Sequence, residues 1–179
     1  MDIPSPSRAD RITADEVKAA LGTLKNRRKG ADDGLVAEML KTGHQGLIET
    51  LTAFFDDILQ GSLQPPDSWR TSKLKLIIKK GDPELLQNYR PISIIPVLAK
   101  LYSTIIYLRM RDLLDTQIAD EQFGFRRRRG CADAVHIFRT IIGKSSEWGE
   151  ELWIATLDVK KAFDCVHQSC LYWPSCTAR

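Results

Sequence analysis

The chain has 179 residues, 43% hydrophobic and 27% charged, a balance that excludes a disordered or fibrous protein and is typical of a globular one. Its formal net charge of +3 excludes a globally cationic surface, so any contact with nucleic acid would come from local basic clusters. The sequence contains neither an apolar run of membrane-spanning length nor the apolar core of a secretory signal. We therefore expect an intracellular protein of the nucleus or cytoplasm, not secreted and without a membrane partner.

Three helices are predicted in the first part of the chain. Thr13 to Glu16 form a capping-box pattern, and apolar residues follow at helical spacing. Asp33 is placed to cap a short second helix that Gly43 ends, and a third, strongly patterned helix closes at Gly61. We expect the apolar residues of these helices to form a core.

Two extended, basic segments are predicted after the helix break at Pro65 and Pro66. From Lys73 onwards apolar residues stand among lysines, which favours a strand, and the residues 81–83 indicate a turn. The proline at position 91 restricts Arg90 to an extended conformation, so the Arg90 guanidinium is expected on a strand or loop rather than on a helix.

The remaining elements are predicted as two helices, a loop and a strand. Residues 97–114 have helical spacing, residues 122–126 indicate a loop, and a further helix is expected to end at Gly143. The segment 152–157 is nearly all apolar, which is typical of a strand buried on both faces. This order of elements predicts an α+β or mixed α/β class.

The aspartate at the end of this predicted strand is the first candidate for chemistry. A rigid strand that ends at Asp158 could hold a magnesium ligand, because magnesium prefers hard oxygen atoms. The alternative is that Asp158 only caps the turn that follows the strand. A zinc site is disfavoured, because the group at the end of the chain lacks a paired knuckle of two cysteines. That group consists of Cys165, His167, Cys170 and Cys176.

Several segments in this order carry a resemblance to a known family. They are Lys29–Gly34 with Glu38, Lys79–Pro83 followed by Asn88–Ser93, Glu121–Arg126, and Leu157–Asp164. Together they resemble the reverse transcriptases of LINE-type non-LTR retrotransposons, over roughly residues 12–173. The resemblance implies a truncated right-hand polymerase, with fingers and a partial palm, in which helices pack on a small, incomplete β-sheet.

The resemblance also implies roles for single residues near the nucleotide. Asp158 matches the first catalytic aspartate, a ligand of Mg²⁺, and Val159 matches the neighbour whose backbone carbonyl joins the same site. Phe163 matches the bulky residue that crowds the 2′ position of the sugar and favours deoxynucleotides. Lys79 and Arg90 match fingers residues that lie along the incoming triphosphate.

A second set of implied residues approaches nucleic acid. Gln122, Gly124, Phe125 and Arg126 match the loop and helix start beside the template, and glycine there would let the backbone come close to a base or sugar. Arg127 belongs to a basic run that either contacts phosphates or is solvated surface. The implied partners are an RNA template, a DNA primer and deoxynucleoside triphosphates.

The predicted organisation has four parts. Residues 1–11 form a flexible leader, 12–64 a helical extension, 65–173 a partial reverse transcriptase domain with the first palm strand, and 174–179 a divergent tail.

The catalytic site is expected to be incomplete in this chain. The family places an Asp-Asp pair on a hairpin well downstream, and neither Asp32-Asp33 nor Asp56-Asp57 has strand-like surroundings that would let it substitute. We therefore expect a fragment of an RNA-directed DNA polymerase that is inactive alone and would need a complementing polypeptide with the rest of the palm. Two alternatives remain open, a non-catalytic nucleic-acid-binding module and a relic without function.

Overall fold

The computed structural model describes residues 10–28, 31, 33–79, 81–159, 162 and 165–167. Two compact units are present, a first that ends at Ile118 and a second that begins at Ala119. The first contains α1 (Ala14–Thr23), α2 (Ala37–Lys41), α3 (Gln45–Leu59), β1 (Lys73–Ile78), β2 (Tyr89–Ile94) and α4 (Val97–Gln117), with 3-10 turns at Asp67–Trp69 and Leu86–Asn88. The second contains α5 (Cys131–Trp148). The described chain thus combines helices with a small two-stranded sheet, which confirms the predicted class at this coarse level.

The start of α1 has the predicted capping box. The Glu16 backbone N–H donates to Thr13 Oγ1 at 3.3 Å, and the Thr13 backbone N–H donates to Glu16 Oε2 at 2.8 Å. The backbone N–H groups of Thr13 and Glu16 both find acceptors within the motif itself. The local sequence is therefore sufficient to set this helix boundary.

The start of α2 differs from the prediction. Asp33 Oδ1 accepts a hydrogen bond from the Leu35 backbone N–H at 3.1 Å, and the helix begins only at Ala37, after Val36. The predicted Asp33 cap is therefore wrong. A short carboxylate side chain can bond the backbone two residues ahead in a turn, and that turn prevails here.

The four helices of the first unit enclose its core. Phe55, Val17 and Leu101 are fully buried, whereas Met39 of the predicted α2 stripe is exposed. The other buried hydrophobic residues of this core are Ile12, Ala20, Leu21, Leu24, Ala37, Leu40, Ile48, Leu51 and Ile105. The helical stripes read from the sequence are thus mainly core, as predicted.

An aromatic cluster anchors the strands to this core. Trp69, in the turn just before β1, lies with its ring centroid 6.1 Å from that of Phe54, 6.4 Å from that of Phe55 and 5.8 Å from that of Tyr102. Val97, which follows β2, also packs against the core, and the start of β1 pairs with the end of β2, so both anchors lie at the open end of the hairpin. The helical core therefore holds this end of the β1–β2 hairpin, and the rings adopt the tilted and edge-on packing that aromatic side chains prefer.

The second unit departs from prediction at two points. Helix α5 continues through Gly143 to Trp148 and ends at Gly149, which has the left-handed φ of 70° that favours glycine after a helix. Residues 152–157 form no strand, and Leu157 is 93% exposed, so the predicted buried strand is wrong for the described structure. A strand needs a neighbour to pair its backbone groups, and β1 and β2 pair only with each other. None of the helices in the described ranges combines the length and apolar character of a membrane span.

Candidate functional site

The hairpin of the first unit brings two predicted site residues to one face. Ile77 pairs with Arg90 in the antiparallel register, and the Lys79 backbone N–H donates to the Asn88 carbonyl at 2.8 Å, which continues the pairing past β1. Directly opposite residues share a face of a sheet, and so do residues two apart along a strand. Lys79 and Arg90 therefore lie on the same face, as diagonal neighbours. The extended backbone predicted for Arg90 is confirmed.

The lysines of β1 belong to this same face. Lys73 pairs with Ile94 and Lys75 with Ile92, which lie four and two residues from Arg90 along β2. We call the set Lys73, Lys75, Lys79 and Arg90 the basic face. The other side of β1 carries the exposed apolar side chains Leu74, Leu76 and Ile78. Alternation along β1 therefore places its lysines on one face, where they stand among the exposed apolar side chains of Ile77 and Ile92, and only apolar residues of β1 on the other. The clustered positive charges of the basic face are suited to phosphate groups.

Two residues that the sequence analysis did not single out fix the loop between the strands. Asn88 Nδ2 donates to the Asp82 carbonyl at 2.8 Å, and the Tyr89 hydroxyl donates to the Pro83 carbonyl at 2.9 Å. The Glu84 backbone N–H donates to Asp82 Oδ1 at 2.9 Å. These bonds tie the loop to the strand ends that carry the basic face. The signal was present in the sequence, because both residues belong to the segment Asn88–Ser93 that carries the family resemblance.

Glycine is required at position 81 of this loop. Gly81 has a φ of 95°, a conformation that L side chains rarely adopt. A Cβ at this position would lie 2.9 Å from Asn88 Nδ2, the atom that bonds Asp82. The predicted turn is confirmed, and Gly81 gives the Asn88 side chain the room to close it.

The loop 119–130 of the second unit contains the other predicted contacts. Gln122 Nε2 donates to the Gly124 carbonyl at 3.2 Å. A Cβ at Gly124 would meet Gln122 Nε2 at 3.5 Å, an ordinary contact distance, so this local conformation does not itself demand glycine. Arg127 is exposed, whereas the Arg126 side chain is only 8% exposed and donates to the Ala119 carbonyl at 2.9 Å. The two arginines, predicted together as nucleic-acid contacts, thus differ in environment.

The predicted catalytic residue lies in the second unit as well. Asp158 and Val159 are exposed and follow the segment 152–157, which is not a strand. Phe163 lies outside the described residues. Within the ranges that the structure describes, no group of three or more histidine, cysteine, aspartate or glutamate side chains is arranged to hold a metal ion.

The cysteine and histidine group at the end of the chain, for which a zinc site was disfavoured, lies only partly within the described residues. Cys165 and His167 are exposed. Cys170 and Cys176 lie outside the described residues.

The upstream aspartate pair of α3 has a structural role. Asp56 Oδ1 accepts a hydrogen bond from the Ile12 backbone N–H at 2.9 Å, and Asp57 Oδ1 accepts one from Ser62 Oγ at 3.3 Å. Both carboxylates therefore hold neighbouring chain in place. Of the other pair, Asp32 lies outside the described residues and Asp33 forms the turn before α2.

Comparison with known proteins places this chain among the polymerases of mobile elements. A family model described as "Reverse transcriptase (RNA-dependent DNA polymerase)" matches residues 77–172, which include Lys79, Arg90 and Asp158. The "Transposon TX1 uncharacterized 149 kDa protein" of Xenopus laevis is 32% identical over 161 residues, which are 88% of this chain and 12% of that protein.

Two relatives from Drosophila melanogaster carry an activity in their names. The "RNA-directed DNA polymerase from mobile element jockey" is 28% identical over 165 residues, 90% of this chain and 18% of the relative. The "Probable RNA-directed DNA polymerase from transposon BS" is 28% identical over 158 residues, 87% of this chain and 17% of the relative. The chain therefore spans less than a fifth of the length of each of these relatives.

Proposed function

The chain belongs to the reverse transcriptase family, and from this premise we propose that it forms the fingers and the first palm segment of a right-hand RNA-directed DNA polymerase from a LINE-type non-LTR retrotransposon. Its substrates in the complete enzyme are an RNA template, a DNA primer and deoxynucleoside triphosphates. The helical extension 12–64, the partial polymerase domain 65–173 and the flanking segments are part of this proposal.

The single observation that carries the proposal is the position of Lys79 and Arg90 on one face of the hairpin. A lysine ammonium is a compact point charge, and an arginine guanidinium forms a planar fork that can donate to two phosphate oxygens at once. As diagonal neighbours on one face of the hairpin, the two cationic groups complement the negative charge of a triphosphate. The bonds from Asn88 and Tyr89 restrict the loop between them, so less order has to be gained when the nucleotide binds.

Asp158 and Val159 are proposed to join the metal site of the complete polymerase. Magnesium would lower the barrier to phosphoryl transfer by stabilising the attacking and leaving oxygens when it is bound. This chain offers one carboxylate and one backbone carbonyl there, and its described residues contain no larger group of metal ligands. We propose that the facing carboxylates come from another segment, and we expect the chain to be inactive alone. Phe163 is proposed to select the deoxyribose sugar.

Exposed apolar side chains in the second unit support a partner that completes the palm. On α5 the residues Val135, Phe138 and Ile142 are 40% or more exposed, and so are Leu152 and Ile154 beyond it. So many exposed large apolar side chains are unusual in a folded protein, because their burial is favourable. We propose that the remaining palm, on this or a complementing polypeptide, covers it.

The nucleotide role of the basic face is tested by binding of a deoxynucleoside triphosphate to the full chain. We expect Arg90→Ala to weaken binding by about tenfold, the size expected for loss of a charge-assisted pair of hydrogen bonds. A matched control is Lys18→Ala, which removes one exposed positive charge from α1 of the same unit. Titration followed by NMR measures both affinities. Equal affinities for the Arg90 and Lys18 variants would contradict the proposed role.

A second candidate function is supported by the exposed Arg127 and Arg128 in the loop 119–130. A non-catalytic nucleic-acid-binding module would use these guanidinium groups to contact phosphates. Its affinity would fall steeply with salt and would not depend on magnesium.

A further inference from the structure

The loop 119–130 holds an aromatic ring in solvent beside exposed arginines. Phe125 is 91% exposed, and its backbone φ of 62° lies in the left-handed region that bulky residues avoid. Arg128 has a similar φ of 60°, and both Arg127 and Arg128 are exposed. This conformation carries a steric cost for any residue with a Cβ atom. Other contacts in the loop must therefore hold it.

Those contacts come from the remaining two arginines of the run. Arg129 Nη2 lies 2.8 Å from Asp120 Oδ1, and Arg129 also donates to the Asp120 carbonyl. Arg126 Nη1 donates to the Ala119 carbonyl at 2.9 Å and lies 3.8 Å from Asp120 Oδ1. We call this set, Arg126 and Arg129 on Ala119 and Asp120, the arginine clamp. It closes the loop by joining its last residues to its first.

The two phenylalanines of the loop differ in the same way as the arginines. The Arg129 guanidinium carbon lies 5.8 Å from the centroid of the Phe123 ring, within the range of a cation–π contact. Phe123 is thereby part of the inner side of the loop, together with the clamp. We call three exposed residues of the loop, Phe125, Arg127 and Arg128, its outer side.

We propose that the outer side of this loop is a stacking platform for an unpaired nucleobase of single-stranded nucleic acid. The Phe125 ring stacks on the base, and Arg127 and Arg128 contact the adjacent phosphates. Aromatic rings beside cationic groups are the usual means of binding single strands without reading their sequence. The inference rests on the proposed function, in which the strand is the template, and it names the group of that strand that the loop binds.

The same geometry assigns Asp120 and Arg126 as positioning residues. Arg126 was predicted to contact nucleic acid directly, but its side chain is directed at its own loop. Asp120 is negatively charged, so by long-range electrostatics alone it opposes binding of a nucleic acid. Its pairing with both clamp arginines gives it the opposite effect, since it keeps the outer side in its binding conformation.

This opposition makes Asp120→Asn a discriminating test. The experiment measures fluorescence anisotropy of a labelled 12-nucleotide single-stranded RNA with the full chain at several salt concentrations. The proposal predicts that Asp120→Asn weakens binding severalfold, although it makes the chain more positive. The matched control is Glu121→Gln, which changes the charge by the same amount at the exposed neighbouring position and is expected to bind equally or slightly more tightly.

A second variant tests the platform itself without disturbing the clamp. Phe125→Leu removes the ring at an exposed position and is expected to lower affinity about tenfold with an unchanged salt slope. Arg127→Gln is expected to reduce the slope of log K against log salt by about one unit. An abasic strand, which keeps its phosphates but has no bases, should bind the wild type and the Phe125→Leu variant alike. A DNA strand of the same length shows whether the platform distinguishes the two sugars.

Three results would overturn the inference, and they are distinguishable from one another. Wild-type chain that binds no strand at low salt contradicts the proposed function as well. Tight binding by Asp120→Asn, equal to or above that of Glu121→Gln, removes the positioning role of Asp120. Equal affinity of wild type and Phe125→Leu for the base-bearing strand removes the stacking role and leaves the proposed function intact.

Discussion

At the scale of single residues, one ion pair ties the end of the helical core together. Arg109 donates to Glu16 Oε1 at 2.6 Å and to Glu16 Oε2 at 2.8 Å, and it also donates to the carbonyls of Asp10 and Arg11, both at 2.7 Å. These bonds lower the pKa of Glu16 from its ordinary value of 4.5 to about 2, with the hydrogen bond from Arg109 as the largest cause. The pair joins α4 to α1 across more than ninety positions of sequence.

The lowered pKa of Glu16 predicts an acid-sensitive contribution to stability. A carboxylate with a depressed folded pKa stabilises the fold above its unfolded pKa, so this contribution is complete above about pH 4.5 and is lost as pH falls toward 2. We expect Glu16→Gln to lower the free energy of unfolding by about 1 kcal/mol at pH 6, a value reduced for partial solvent exposure. The variant should also lose less stability than wild type between pH 6 and pH 3.

Urea unfolding at both pH values measures this difference. The control is Glu84→Gln, which changes an exposed carboxylate in the hairpin loop. If wild type and Glu16→Gln lose equal free energy on acidification, the ion pair does not contribute as described.

Local chemistry explains which residue-scale predictions succeeded. Thr13 and Glu16 cap α1 through bonds within four positions, which a sequence pattern can report in full. Asp33 has an equally good cap pattern, but its carboxylate bonds Leu35 instead. The ion pair of Arg109 with Glu16 could not be predicted from a local sequence pattern, because helix packing brings the two residues together.

At the scale of elements, the hairpin was predictable and the last strand was not. The alternation of β1, the turn at Gly81 and the constraint of proline on Arg90 are all local, and the structure contains each of them. Helix α5 continues past Gly143, because a single interior glycine destabilises a helix by only about 1 kcal/mol and a better terminator follows at Gly149. Residues 152–157 have the composition of a buried strand, yet a strand also requires a paired neighbour.

The unpaired state of residues 152–157 predicts fast hydrogen exchange. Backbone N–H groups without ladder partners open at little cost, so these amides should exchange far faster than those of α3 and α4 around Phe55 and Leu101. Mass spectrometry of the exchanging monomer measures both regions in one sample, and the core peptides are its internal control. Strong protection at 152–157 in the monomer would contradict the described structure.

At the scale of the whole molecule, the sequence predicted the family better than the site. The segments that carry the resemblance lie in both units, and the family model spans residues 77–172. The roles of Lys79, Arg90 and Asp158 remain predictions, because a polymerase site is assembled from distant segments and spacing along one chain does not report that assembly. The different roles of the four consecutive arginines, two in the clamp and two on the outer side, could likewise not be predicted from the sequence. Four identical neighbours differ only in what they contact.

The central claim is that Asp158 is a catalytic carboxylate of an RNA-directed DNA polymerase. Its most direct test is primer extension on an RNA template by this chain joined to the part of the jockey relative that follows the matched segment, with Asp158→Ala and with Asp15→Ala, at an exposed position of α1, as the control. We expect template-directed incorporation by the joined protein and by the control, and a loss of at least about a hundredfold in Asp158→Ala. Incorporation that survives Asp158→Ala unchanged would contradict it.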